Sequence, residues 1–254
     1  MSLFKSGNPA LSEQRFRDTV LDDVLIHENA MTVRGTLQKF GFLFLMVLGT
    51  AFYAWKEVTY GGAVMPLVWT GAIGGLIIAF VIVFKREWSP YLAPAYALLK
   101  GLAIGGISAI ANYAFEEKAP NLVITAVGLT FGVAMSMYLL YSFKIIKATE
   151  KFKSVVITAT VGIALFYVIV LVLHMFGFDN MPFLHEGSAF GIGFSLFVTV
   201  IAALNLILDF DMIEQGAALG APKYMEWYGA FGLLVTIIWL YLEILRLLMK
   251  INRR

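Results

Sequence analysis

Apolar residues run almost unbroken through seven stretches of the chain, near Leu37 to Trp55, Ala63 to Phe84, Tyr91 to Tyr113, Asn121 to Phe143, Ser154 to Phe176, Ser188 to Leu208 and Trp227 to Met249. Polar residues gather between them. A helix needs about 20 apolar residues to cross a hydrocarbon core about 30 Å thick, so the pattern predicts an all-α integral membrane protein with seven transmembrane helices. Pro9, Pro66, Pro90, Pro94, Pro120, Pro182 and Pro222 fall outside these stretches or in their first turns, which predicts helices that run largely unkinked. Trp55, Trp88 and Trp227 sit at the expected membrane boundaries, and the short connections make sequential helices neighbours.

The polar leader, 1–36, carries Arg15, Arg17, Asp18, Asp22, Asp23 and Glu28 and has no apolar stretch of the kind a cleavable signal needs. Two readings of it stand: an amphipathic helix through Phe16, Val20 and Val24 lying on headgroups, or a loosely ordered arm. The chain thus divides into a leader, 1–36, and a seven-helix domain, 37–254. Placing the leader in the cytoplasm puts Lys85, Arg86, Lys144, Lys147, Lys151, Lys153 and Lys223 inside, against Lys56 and Lys118 outside, which fits the inside bias of basic residues. The expected location is a cell membrane, the inner membrane if the protein is bacterial. The tail runs against that bias, because seven full crossings put Arg246, Lys250, Arg253 and Arg254 outside. Either the last segment crosses against the rule or it re-enters.

Composition narrows the partners: 60% of the residues are hydrophobic, 14% are charged and the net charge is +2. The cations sit at segment ends and form no basic groove, so the lipid bilayer and not nucleic acid is the expected partner. With no cysteine, disulfides and thiolate metal sites are excluded. Glycines recur at four-residue spacing as Gly71 and Gly75, Gly101 and Gly105, Gly128 and Gly132, and Gly187 and Gly191, a pattern that predicts close helix packing in lipid.

Function is expected where charge sits at membrane depth. Lys100 lies about 13 Å into the third stretch by helical rise. It should either face the bundle interior and find a partner or snorkel along its own stem. Glu243, in the seventh stretch, has Arg246 and Lys250 within helical reach. Asn205 and Asp209 share one face of the sixth helix, whereas Asp211 projects about 160° away from Asp209. Asp211 and Glu214 are expected on the inner aqueous side, where three acids in six residues can attract a cation; the alternative is a solvated helix end. Asp209 and Asp211 are the candidate metal ligands, although calcium asks for more oxygens than one helix offers.

No enzyme is expected. His27, His174 and His185 have no metal-ligand spacing, and His185-Glu186 lacks the second histidine of a zinc motif. No nucleophile has a recognisable base, and no cofactor motif occurs.

The runs Asn8-Pro9-Ala10, Met31-Thr32-Val33-Arg34-Gly35-Thr36-Leu37-Gln38-Lys39, Leu208-Asp209-Phe210-Asp211 and Ile244-Leu245-Arg246-Leu247-Leu248 resemble the Bax inhibitor-1 family, and its longer bacterial branch best. The resemblance implies two layers of three helices around a central C-terminal helix. It implies a pH-sensitive calcium leak, gated by a proton shared between an aspartate on helix six and one on helix seven. Some bacterial relatives instead resemble modulators of a membrane-bound quality-control protease, which makes a non-channel role through protein contacts the alternative. Asp209 matches the sixth-helix aspartate. For the seventh, one match places Thr236 at that position and another places Glu243, with Thr236 preferred. Lys100 stands where relatives of this branch carry Glu, and pairing of Lys100 with Asp209 would move the switch to more acidic conditions. Calcium enters as a transported ion.

Overall fold

The computed structural model describes residues 30–177 and 188–253. The leader up to residue 29, Gly187 and His185 lie outside the described residues. Seven helices follow in order: α1 (Val33–Thr59), α2 (Val64–Phe84), α3 (Ser89–Phe115), α4 (Leu122–Ser142), α5 (Glu150–Met175), α6 (Ala189–Ala218) and α7 (Met225–Ile251), with a 3₁₀ turn at Arg86–Trp88. All seven are long and apolar enough to cross a membrane. The shortest, at 21 residues, spans about 30 Å.

Local chemistry sets the helix starts. Thr32 caps α1 by accepting from Gly35 N–H (2.9 Å), Thr149 caps α5 through Phe152 N–H (3.3 Å) and Ser188 caps α6 through Gly191 N–H (3.0 Å). The cap at Thr32 starts α1 before the expected boundary at residue 37. The sixth helix continues past Leu208 to Ala218, so Asp209, Asp211 and Glu214 belong to one uninterrupted helix. Pro94 corrects the expectation that prolines avoid helix interiors: α3 begins at Ser89, which leaves Pro94 inside it.

Helices α1, α2 and α3 pack together on one side, and α4 and α5 both pack on α6 on the other. Helix α7 touches α1, α3, α4 and α6, so it lies between the two layers. Its buried residues, among them Leu234, Ile238, Leu240 and Leu245, form the spine of the core. Outward positions are large and apolar: Phe52 is 71% exposed and Phe84 78%. So large an apolar surface is stable against lipid rather than water.

The glycine pairs divide. A Cβ on Gly71 would come within 2.7 Å of Ala103 N, and one on Gly105 within 2.7 Å of Ala51 Cα, so these glycines let α2 and α1 approach α3 backbone to backbone. Gly128 and Gly132 have no neighbour within 4 Å at the same test. The expectation of close packing fails for that pair, because its face of α4 points away from the bundle.

The bundle has two ends. One, the leader face, carries the start of α1 and the α2–α3, α4–α5 and α6–α7 connections; the far face carries the other three connections and the end of α7.

Candidate functional site

Asp209 lies about 13 Å from the leader-face end of α6 by helical rise and points at the central helix. There the Thr236 hydroxyl stands beside its carboxyl. The same hydroxyl reaches back to Gly232 O at 3.3 Å, as a threonine in a helix commonly does. Asp209 Oδ2 is buried and makes no hydrogen bond, which is costly for a carboxylate in a medium that offers no water.

Of the two candidate positions on α7, Thr236 therefore meets Asp209 and Glu243 does not. Glu243 sits two turns nearer the far face and is 2% exposed. Its Oε1 accepts from Arg246 Nη1 at 2.7 Å and from Tyr167 Oη of α5 at 3.2 Å. Arg246 Nη1 also donates to Tyr167 Oη at 2.6 Å, and its guanidinium lies over the Tyr167 ring. The i,i+3 pairing of Glu243 with Arg246 is thus present, extended by a tyrosine from a neighbouring helix.

The other acids of α6 turn elsewhere. Asp211 Oδ2 pairs with Lys153 Nζ of α5 at 2.9 Å and accepts from Gln215 Nε2 at 2.6 Å. Glu214 accepts from Tyr141 Oη of α4. Both line a groove of about 590 Å³ at the leader face, together with Tyr141, Lys144, Lys147 and Phe210. Asp209 and Asp211 consequently do not converge on a shared metal, as the angle between them on the helix requires. Among the described residues no cluster of three or more His, Asp or Glu side chains could hold a metal ion. Asn205, one turn from Asp209, donates to Thr160 Oγ1 of α5 at 2.8 Å and to Ile201 O at 2.8 Å, which ties α6 to α5.

Lys100 is not brought to Asp209. Its stem lies across Gly75 of α2, where a Cβ would come within 2.8 Å of Lys100 Cε, and its ammonium sits 5.8 Å from the centre of the Tyr96 ring. A cation over a ring face supplies the electrostatic partner that a carboxylate was expected to supply. The pairing with Asp209 fails because α3 packs on α1, α2 and α7, whereas Asp209 faces α7 from the opposite layer.

One site carries no signal in the hydropathy pattern. Glu226, in the first turn of α7, has a side chain with no exposed surface. Its Oε1 accepts from Thr32 N–H (2.9 Å) and Thr32 Oγ1 (2.8 Å) and pairs with Lys223 Nζ at 3.1 Å, while Oε2 pairs with Lys39. Beside it the chain entering α1 is stitched to the α6–α7 connection by Met31 N–H to Ala221 O at 2.6 Å. Gly35 makes room for this carboxylate, since a Cβ there would come within 2.6 Å of Glu226 Oε2. The run from Met31 to Lys39 thus supplies a cap, a gap and a counter-charge to one buried acid at the foot of the central helix.

No curated protein matches the chain. Residues 6–253 match the family described as Bax inhibitor 1 like, and with seven helices long and apolar enough to cross a membrane the chain belongs to that family of multi-pass membrane proteins.

Proposed function

We propose that the protein is a proton-sensitive cation leak, with Asp209 as the sensor and calcium or a similar cation as the transported ion. The observation that carries this reading is the buried carboxylate oxygen of Asp209, unpartnered at the seam between α6 and α7. A neutral carboxyl is compatible with that closed seam. An ionised one has only the Thr236 hydroxyl beside it and needs water or a cation, both of which require α6 and α7 to part. Opening therefore accompanies rising pH. The groove at the leader face, with Asp211 and Glu214 in its wall, supplies an aqueous approach next to Phe210. With that face in the cytoplasm the ion passes between a cell exterior or compartment and the cytosol.

Thr236 opposite Asp209 makes the device a single carboxylate rather than two sharing a proton. The test is calcium flux into liposomes holding the purified protein, from about pH 5 to 8, for the wild type and Asp209→Asn. The expected result is a flux that rises with pH and loses its pH dependence in the variant. Folded wild-type protein that passes no ion at any pH overturns the reading and leaves action through protein contacts, for instance on a membrane-bound protease by way of the leader, as the alternative to pursue.

A further inference from the structure

The cation-rich end of α7 is not used by the leak. Lys250 is only 5% exposed, a degree of burial that ammonium groups seldom show without a counter-charge. Its Nζ donates to Ser195 Oγ at 2.8 Å and to Gly191 O at 3.2 Å, both in the first turns of α6. Those oxygens are neutral, and the acid near the ammonium, Glu243, is already paired with Arg246, so Arg246, Lys250 and Arg253 together outnumber it. Arg246, one turn back, is balanced by Glu243 and uses Nη1 for its contacts with Glu243 and Tyr167, which leaves the donors on Nη2 and Nε. Beside these two cations, among α5, α6 and α7, lies a pocket of about 310 Å³ lined by Tyr167, Val170, Phe194, Arg246, Lys250 and Arg253. Lys250 stands one residue before the end of α7, so the pocket opens at the far-face end of the spans, at the level where lipid phosphates lie.

We propose that this pocket binds a phosphate-bearing anion, its phosphate seated between Lys250 and Arg246. A phosphate supplies the charge that the serine and the carbonyl cannot, and it accepts from both an ammonium and a guanidinium. Tyr167, Val170 and Phe194 give the same pocket an apolar wall, which suits the glycerol and first methylenes of a phospholipid. The site also accounts for cations gathering on the face that the inside bias leaves poor in them. It lies about 21 Å along α7 from Thr236 by helical rise and stands independently of the leak.

Retention of added lipid by the full-length protein in detergent, read by native mass spectrometry and by thermal unfolding, tests the proposal. The probes are phosphatidylglycerol, phosphatidylcholine and inorganic phosphate; the variants are Lys250→Gln, Val170→Trp and, as a cation away from the pocket on the same face, Lys56→Gln. Wild type and Lys56→Gln are expected to retain phosphatidylglycerol at least tenfold better than Lys250→Gln. Val170→Trp, which fills the pocket and leaves Lys250 and its contacts in place, should lose retention as well, so the test stands even if Lys250→Gln does not fold. Protection by inorganic phosphate equal to that by lipid, lost in the same variants, identifies a free anion as the ligand. Equal retention and equal protection in wild type and Val170→Trp overturn the site.

Discussion

Substituting Gly35 by alanine isolates what the buried Glu226 contributes without removing any charge. The new Cβ would fall inside the envelope of the Glu226 carboxylate, 2.6 Å from Oε2, so the acid must leave its place or the foot of α1 must move. Overpacking of this kind costs about 1–3 kcal/mol. Displacing the carboxylate also strains its bonds from the Thr32 N–H and hydroxyl and its pairing with Lys39, and a hydrogen bond to a charged group contributes about 1.5–3 kcal/mol. Against this stands the higher helix propensity of alanine, about 0.5–1 kcal/mol. The net expectation is a loss of about 2–4 kcal/mol.

Gly41 on the same helix is the matched control. Nothing lies within 4 Å of a Cβ built there, so Gly41→Ala should be neutral or gain about 0.5–1 kcal/mol. At about 2–4 °C per kcal/mol for a chain of this size, the two variants should separate by roughly 5–20 °C in thermal unfolding at one scan rate in the same detergent. Glu226→Asp withdraws the carboxylate by one methylene, and combined with Gly35→Ala it should restore part of the loss, giving a favourable coupling in a double-mutant cycle. Gly35→Ala as stable as Gly41→Ala, or a double variant that shows no coupling, would refute the argument that Gly35 exists to admit this acid.

Two further outcomes follow from the seam and from Lys100. Thr236→Asp sets a second carboxylate against Asp209; two such groups in close contact cannot both ionise readily, so loss of the last proton and with it the flux profile in liposomes should move to higher pH, and a profile unchanged from wild type would mean the two positions do not meet. Lys100→Met removes the ammonium over Tyr96 but keeps the stem across Gly75, so the protein should be at least as stable and its pH profile unmoved; a shifted profile would tie Lys100 to the sensor after all.

The helices were legible in the sequence because lipid imposes one rule on every span: about 20 apolar residues with their backbone bonds satisfied internally. That rule says nothing of rotation or neighbours. Gly71 and Gly128 read alike in the chain, yet one admits a backbone and the other faces away from the bundle, and only packing tells them apart. Asp209 was legible because an acid at membrane depth is expensive wherever it points. Its partner is narrowed to Thr236 or Glu243, with Thr236 preferred, on the resemblance alone; the two lie two turns apart on one face of α7, and the register of α6 against α7 sets Thr236 beside Asp209.

Glu226 escaped for the opposite reason. An acid in the first turn of a helix at a membrane boundary is where the helix dipole and water both favour it, so it reads as an ordinary solvated end. What buries it is the return of the chain toward its start: Thr32, Gly35 and Lys39 arrive from 187 to 194 residues away and close over it. The same closure joins the segment that follows the leader to the foot of the helix carrying Thr236. The Glu226 carboxylate, the Met31–Ala221 backbone bond and the packing of α1 on α7 together tie that segment to the central helix, with the carboxylate about 15 Å along α7 from Thr236 by helical rise. Asp209 faces this helix from α6 and Glu226 anchors its foot, so a movement of α7 as a body would carry the charged joint and the Thr236 side of the seam together.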